Sequence, residues 1–88
     1  MTSRRVQVTN DLGIHARAAA RFVEVASRFP CRIQVSLGSR SVDGKSILGL
    51  LLLAAAKGTT IAIEADGVEE AQAIAALAVV VEEGFGDR

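Results

Sequence analysis

His15 and Arg17 are the two residues of this 88-residue chain that together could manage a phosphoryl group. His15 is the only histidine, and the run Asn10-Asp11-Leu12-Gly13-Ile14-His15-Ala16-Arg17 sets it where a strand gives way to a helix. The first turn of a helix carries backbone N–H groups without intrahelical partners and the positive end of the macrodipole, which makes an anion site. A neutral imidazole offers a ring nitrogen with a free lone pair, and the positive helix end favours that neutral form. A phosphoryl group joined to it brings close to two negative charges. The N–H groups of Ala16, Arg17 and Ala18 and the Arg17 guanidinium could then hold it by charge-assisted hydrogen bonds.

Other chemistries find no support. There is no second histidine, and Asp11 and Cys31 have no ligand spacing with His15, so no metal is expected. An acyl-transfer triad would need this same histidine as its base. Gly44-Lys45-Ser46 has the ending of a phosphate-binding P-loop, but that pattern needs glycine at position 39, where Ser39 stands. No cofactor is expected.

The elements that must position His15 follow from periodicity. Val6 and Val8 alternate with Gln7 and Thr9 as in a half-buried strand, and Asn10 to Gly13 is turn chemistry. Ala16, Ala19, Ala20, Val23 and Ala26 follow helical spacing, with Arg17, Arg21, Glu24 and Arg28 opposite; this helix must stop before Pro30. Ile33, Val35 and Leu37 share one face of a second strand. Gly38-Ser39 predicts a hairpin into a short strand over Arg40 to Asp43, with Val42 pointing inward. Ser46 is an N-cap, worth about 0.5–2 kcal/mol, for a short helix expected to end near Gly58 as its C′ glycine. Thr59 to Ala65 reads as a strand with Ile61, Ile63 and Ala65 on one face. Asp66-Gly67 turns into a last helix with Glu69 and Glu70 in its first turn, an apolar face of Ile74, Leu77, Ala78 and Val81, and Gly84 as its close. The order β-α-β-β-α-β-α predicts a two-layer α+β domain over residues 1–88.

The helix after Ser46 is apolar nearly all round. Ile47, Leu50, Leu51 and Ala54 make one stripe, while Leu48, Leu52 and Ala55 lie elsewhere on its surface. Full burial of such a helix is hard to arrange in a small domain, so an exposed docking patch near His15 is expected, with Leu50 and Leu53 in the core. Arg17, Arg21, Lys45 and Arg28 could form a basic rim suited to acidic partners.

Composition narrows the classes. Half the residues are hydrophobic, enough for a core that buries roughly 60–65% of the unfolded surface without disulfide or metal. Ten basic and ten acidic side chains cancel, and three Phe without Trp or Tyr leave little for stacking, which argues against a nucleic-acid partner. Cys31 is alone. The N-terminus lacks the apolar run of a signal peptide, and Ile47 to Ala56 is about half a bilayer span, so a cytoplasmic protein with no membrane insertion is expected.

Leu12-Gly13-Ile14-His15-Ala16-Arg17 and Gly44-Lys45-Ser46-Ile47-Leu48-Gly49 resemble the two signature segments of the HPr family, histidine phosphocarriers of the bacterial phosphotransferase system. The resemblance continues through Ala56-Lys57-Gly58 and Ala65-Asp66-Gly67 to the last helix, and departs at Ala18, where the family usually has proline. It implies an open-faced β-sandwich: a four-stranded antiparallel sheet covered on one face by three helices. It implies a carrier, not an enzyme, whose His15 takes a phosphoryl group on Nδ1 from enzyme I and passes it to IIA components for sugar uptake, with Arg17 as charge partner. A shallow site with one arginine and no metal suits a group that must be released. Ile47, Leu48 and Leu51 match docking residues. Ser46 matches a regulatory site, written by a serine kinase and erased by a phosphorylase, that tunes docking to partners including transcriptional regulators. A monomer is the expectation for a shuttling carrier. Two alternatives remain open: a paralogue serving the nitrogen-related regulatory branch, and a binding module controlled through Ser46.

Overall fold

The computed structural model describes residues 1–87. Strand β1 (Thr2–Gln7) leads through a loop to helix α1 (Ala16–Ala26). Strands β2 (Arg32–Leu37) and β3 (Arg40–Asp43) form a hairpin. Helix α2 (Ile47–Leu53), strand β4 (Thr60–Asp66), helix α3 (Glu70–Glu82) and a single 3₁₀ turn at Gly84–Gly86 complete the chain. The strands lie in the order β1-β4-β2-β3, each neighbouring pair antiparallel, and the three helices cover one face. This is the α+β open-faced sandwich expected from the sequence.

Alternation sets the register. Val6 lies opposite Ile61, Val35 opposite both Ile63 and Val42, and Ile33 opposite Ala65. Val6, Ile33, Val35, Ile61, Ile63 and Ala65 are all buried towards the helices, so a one-residue slip would turn them into solvent. From the other layer come Phe22 and Val25 of α1, Leu50 and Leu53 of α2, and Ile74, Leu77, Ala78 and Val81 of α3. Leu37 and Val42, expected inward, are only partly buried at the margin of this core.

Three local expectations change. Helix α1 buries Ala18, Ala19, Phe22, Val25 and Ala26, while Ala16 and Ala20 are exposed and Val23 is half-buried. Phe22 carries far more apolar area than any alanine, so its burial decides the rotation of the helix. Helix α2 ends at Leu53 rather than near Gly58: Ala54 takes the left-handed conformation (φ 55°), and Arg40 donates to the carbonyl of Leu53 at 3.0 Å. Gly58 instead donates its N–H to Val8 O at 2.8 Å, in the turn that brings the chain back to the sheet. Glu69 is not in the first turn of α3 but at its cap position, with φ 65°.

Candidate functional site at the start of α1

The loop before α1 is fastened to the exit of α2. Ile14 donates its N–H to Ala55 O at 3.0 Å, and Lys57 pairs with Asp11 at 2.6 Å. Gly13 sits at φ +64°, where a Cβ would run into the Ala55 carbonyl and lie 3.0 Å from Ala56 Cα. Only glycine allows that approach. The left-handed turn at Ala54 thus does more than end a helix: it presents the carbonyl that holds the residue before His15.

His15 takes the N-cap position of α1 with extended backbone (φ −95°, ψ −177°), and its side chain makes no capping bond. The imidazole is therefore not used up by the helix, whose first N–H groups, on Ala16, Arg17 and Ala18, lack intrahelical partners. The ring meets a residue 72 positions away. His15 Nε2 lies 2.6 Å from Asp87 Oδ2. Asp87 is brought there by the 3₁₀ turn after α3: Phe85 is buried, and Asp87 N–H bonds to Gly84 O at 2.8 Å. Asn10 Nδ2 also donates to Asp87 Oδ2, at 3.1 Å.

The hydrogen bond with His15 holds the Asp87 carboxyl below its ordinary value, helped by Asn10 and by the charges of His15 and Arg17, while burial opposes the shift. An ionised carboxylate only accepts hydrogen bonds, so the proton of this contact belongs to Nε2. In a neutral ring the lone pair is then on Nδ1, the nitrogen that makes no hydrogen bond among the described residues.

Arg17 is largely exposed, its side chain 80% accessible, with Nε 3.8 Å from Asp87 Oδ1. At that separation it is tethered by charge rather than by a hydrogen bond, and it can turn towards an arriving anion. A shallow depression beside the histidine is lined by Asp11, Leu12, Arg17 and Asp87.

Ser46 caps α2, its Oγ accepting from Gly49 N–H at 3.0 Å. The helix shows the split expected of it: Leu50 and Leu53 are buried, while Ile47, Leu48, Leu51 and Leu52 are exposed. The single stripe of Ile47, Leu50, Leu51 and Ala54 does not form, because burying Leu50 and Leu53 turns the others outward. Helices α1 and α2 pack together, so this apolar surface and the histidine loop belong to adjoining elements. The basic rim is weaker than expected. Lys45 donates from Nζ to Phe29 O at 2.6 Å and Arg21 is paired with Glu24 at 2.6 Å, whereas Arg17 approaches the same Asp87 carboxylate that the imidazole meets.

Two residues of the site escaped the sequence reading, Asp87 and Asn10. Neither follows a local pattern with His15. A polar residue opening the loop and an acid just past the Gly84-Phe85-Gly86 turn are weak signals until the fold joins them.

Among the described residues no helix is long and apolar enough to cross a membrane. A family model described as "PTS HPr component phosphorylation site" matches residues 2–83. The phosphocarrier protein HPr of Neisseria meningitidis serogroup A is 44% identical over 87 residues, covering 99% of this chain and 98% of its own. That of Pseudomonas aeruginosa is 42% identical over 88 residues, covering 99% and 98%. The crystal structure of HPr-C-His from Thermoanaerobacter tengcongensis superposes with a TM-score of 0.95 at 36% identity, covering 100% of this chain and 99% of that one. With the sandwich, the histidine at the helix start and these relatives in agreement, the chain belongs to the HPr family, the phosphocarriers of the phosphotransferase system.

Proposed function

We propose that His15 is the phosphoryl acceptor and that Nδ1 is the atom that carries the group. The lone pair of Nδ1 attacks the phosphorus held by phosphorylated enzyme I. A new N–P bond forms as the bond to the enzyme I donor breaks, and the proton on Nε2 stays in place. Phosphorylation makes the ring cationic, and Asp87 stabilises that charge through the same Nε2–H bond. Arg17 and the N–H groups of Ala16, Arg17 and Ala18 take up the negative charge of the phosphoryl group. Attack by an acceptor on a IIA component then breaks the bond to Nδ1 and restores the neutral ring. The observation that carries this reading is the 2.6 Å contact of Nε2 with Asp87, which leaves one nucleophilic nitrogen.

Ile47, Leu48 and Leu51 form the docking patch in this proposal; their support is exposure on the element adjoining the histidine loop. Arg21 and Lys45 would have to leave Glu24 and the Phe29 carbonyl to add to that surface. Ser46 is the proposed regulatory position. A phosphate there would set close to two negative charges beside the patch and repel acidic partners. A serine kinase and its reversing phosphorylase would be the corresponding partners, and the setting is the cytoplasm, with the chain acting as a monomer. Sugar uptake is the proposed output; the nitrogen-related branch would use the same chemistry with other IIA proteins.

The test is incubation with enzyme I and phosphoenolpyruvate, followed by intact mass and acid treatment, on wild type and His15→Ala. One acid-labile phosphate, absent from the variant, is the expected result. An unlabelled, folded wild type would overturn the proposal and turn attention to Ser46 as the functional site.

A further inference from the structure

Asn10 is the one buried polar or charged residue among the described residues, 7% exposed, and its amide is oriented by two acceptors. Nδ2 donates to Gly13 O at 2.8 Å and to Asp87 Oδ2 at 3.1 Å. Exchanging the amide's oxygen and nitrogen would set an oxygen against both, so the orientation is fixed by the partners. Each of those acceptors is shared with a nitrogen of His15. Gly13 O also accepts from the His15 backbone N–H at 3.1 Å, and Asp87 Oδ2 from Nε2 at 2.6 Å. One side chain therefore holds the histidine from two sides, through its backbone and through its ring. The arrangement leaves Asn10 Oδ1 buried with no partner among the described residues. Burying an unpaired amide oxygen is unfavourable, and an aliphatic side chain would avoid it. The two NH donors are what the position gains in return.

We infer that Asn10 is a positioning residue for phosphoryl transfer: by donating to Gly13 O and Asp87 Oδ2 it orients the His15 ring and keeps the proton on Nε2. The inference rests on His15 being the acceptor and adds what holds it in readiness. Without Asn10, the Asp87 carboxylate loses the donor that aims it and the loop loses a brace, while the exposed surface of α2 is untouched. The effect belongs on the rate of the transfer step, since misplacing a reacting group by about 1 Å lowers rates on the order of a hundredfold.

The experiment compares wild type, Asn10→Ala and Asn10→Asp. Phosphorylation by enzyme I and phosphoenolpyruvate is followed as rate against carrier concentration, and the His15 ring nitrogens are read by ¹⁵N NMR. For Asn10→Ala the expectation is a maximal rate lower by about tenfold to a hundredfold, with little change in half-saturating concentration. Its ring spectrum should move from the Nε2–H tautomer towards a mixture. Asn10→Asp keeps the shape but opposes a carboxylate to Asp87, and should disturb the ring at least as much. A purely structural role would lower the melting temperature and leave the tautomer and the maximal rate alone; that result overturns the inference. Should neither variant fold, the wild-type Asn10 side-chain amide resonances provide the readout. They should shift when His15 is phosphorylated, and unchanged resonances overturn the inference. Failure of wild type itself to take the label would instead remove the carrier reading on which it rests.

Discussion

Replacing Gly13 with alanine tests how the histidine loop is held. The residue lies at φ +64°, and its Cβ would meet the Ala55 carbonyl and Ala56 Cα, both backbone and neither able to swing aside. Left-handed backbone costs a non-glycine residue about 1–2 kcal/mol. If the loop backs away, the Ile14–Ala55 hydrogen bond goes too, a further loss of about 0.5–1.5 kcal/mol. Together these amount to about 1.5–3.5 kcal/mol, which for a domain of this size lowers the melting temperature by roughly 6–28 °C. Gly38→Ala is the control. Its φ is +61°, but nothing lies within 4 Å of the added methyl, so it suffers the conformational part alone. Thermal unfolding by circular dichroism should therefore separate the two variants, with Gly13→Ala the less stable. Phosphorylation by enzyme I, timed by rapid quench, should slow markedly for Gly13→Ala and stay near wild type for Gly38→Ala. Equal melting temperatures together with equal transfer rates would refute the claim that the approach of Gly13 to Ala55 positions His15.

Three further expectations concern the rest of the molecule. Ser46→Ala removes the acceptor for Gly49 N–H and should destabilise by about 0.5–2 kcal/mol in urea unfolding while His15 is still phosphorylated, since the cap is not part of the acceptor. The Asp87 carboxyl is held below its ordinary value, so its tie to His15 is whole above the unfolded carboxylate value of about 3.9 and is lost as pH falls through the lower folded one. A ¹³C titration of that carboxyl should accordingly show its midpoint below about 3.9, and a midpoint at or above it would contradict the contact. Glu70 is held down to about 2 by bonds from the Thr2 hydroxyl, the amino terminus and the Gly67 N–H. Its stabilisation is complete above the ordinary value of 4.5 and fades towards pH 2, so Glu70→Gln should be less stable than wild type near neutrality and approach it in acid.

What was legible in the sequence was what is local. The strands and their faces follow from alternation, since Ile33 and Val35 in one strand, and Ile61 and Ile63 in another, sit two residues apart. His15 and Arg17 stand out by residue type at a helix start, and the resemblance to a known family made them candidates. Decisions among several apolar faces were less accessible. In α1 the many alanines suggested one face, but the large side chain of Phe22 chose another. The end of α2 was hidden because Ala54 adopts a left-handed conformation usually left to glycine, and it does so where Ala55 is drawn to Ile14. Asp87 and Asn10 were invisible for a different reason. They are 77 positions apart, and only the packing of Phe85 and the turn after α3 brings Asp87 to Asn10 and to the imidazole of His15.

One measurement at that imidazole tests the transfer chemistry most directly. Long-range ¹H–¹⁵N correlation on the phosphorylated protein, with phosphorus coupling, reports which atom holds the group. Phosphorus is expected to couple to Nδ1 of His15, with a proton retained on Nε2, facing Asp87. Phosphorus on Nε2, or on the Ser46 oxygen with the imidazole unchanged, would contradict it.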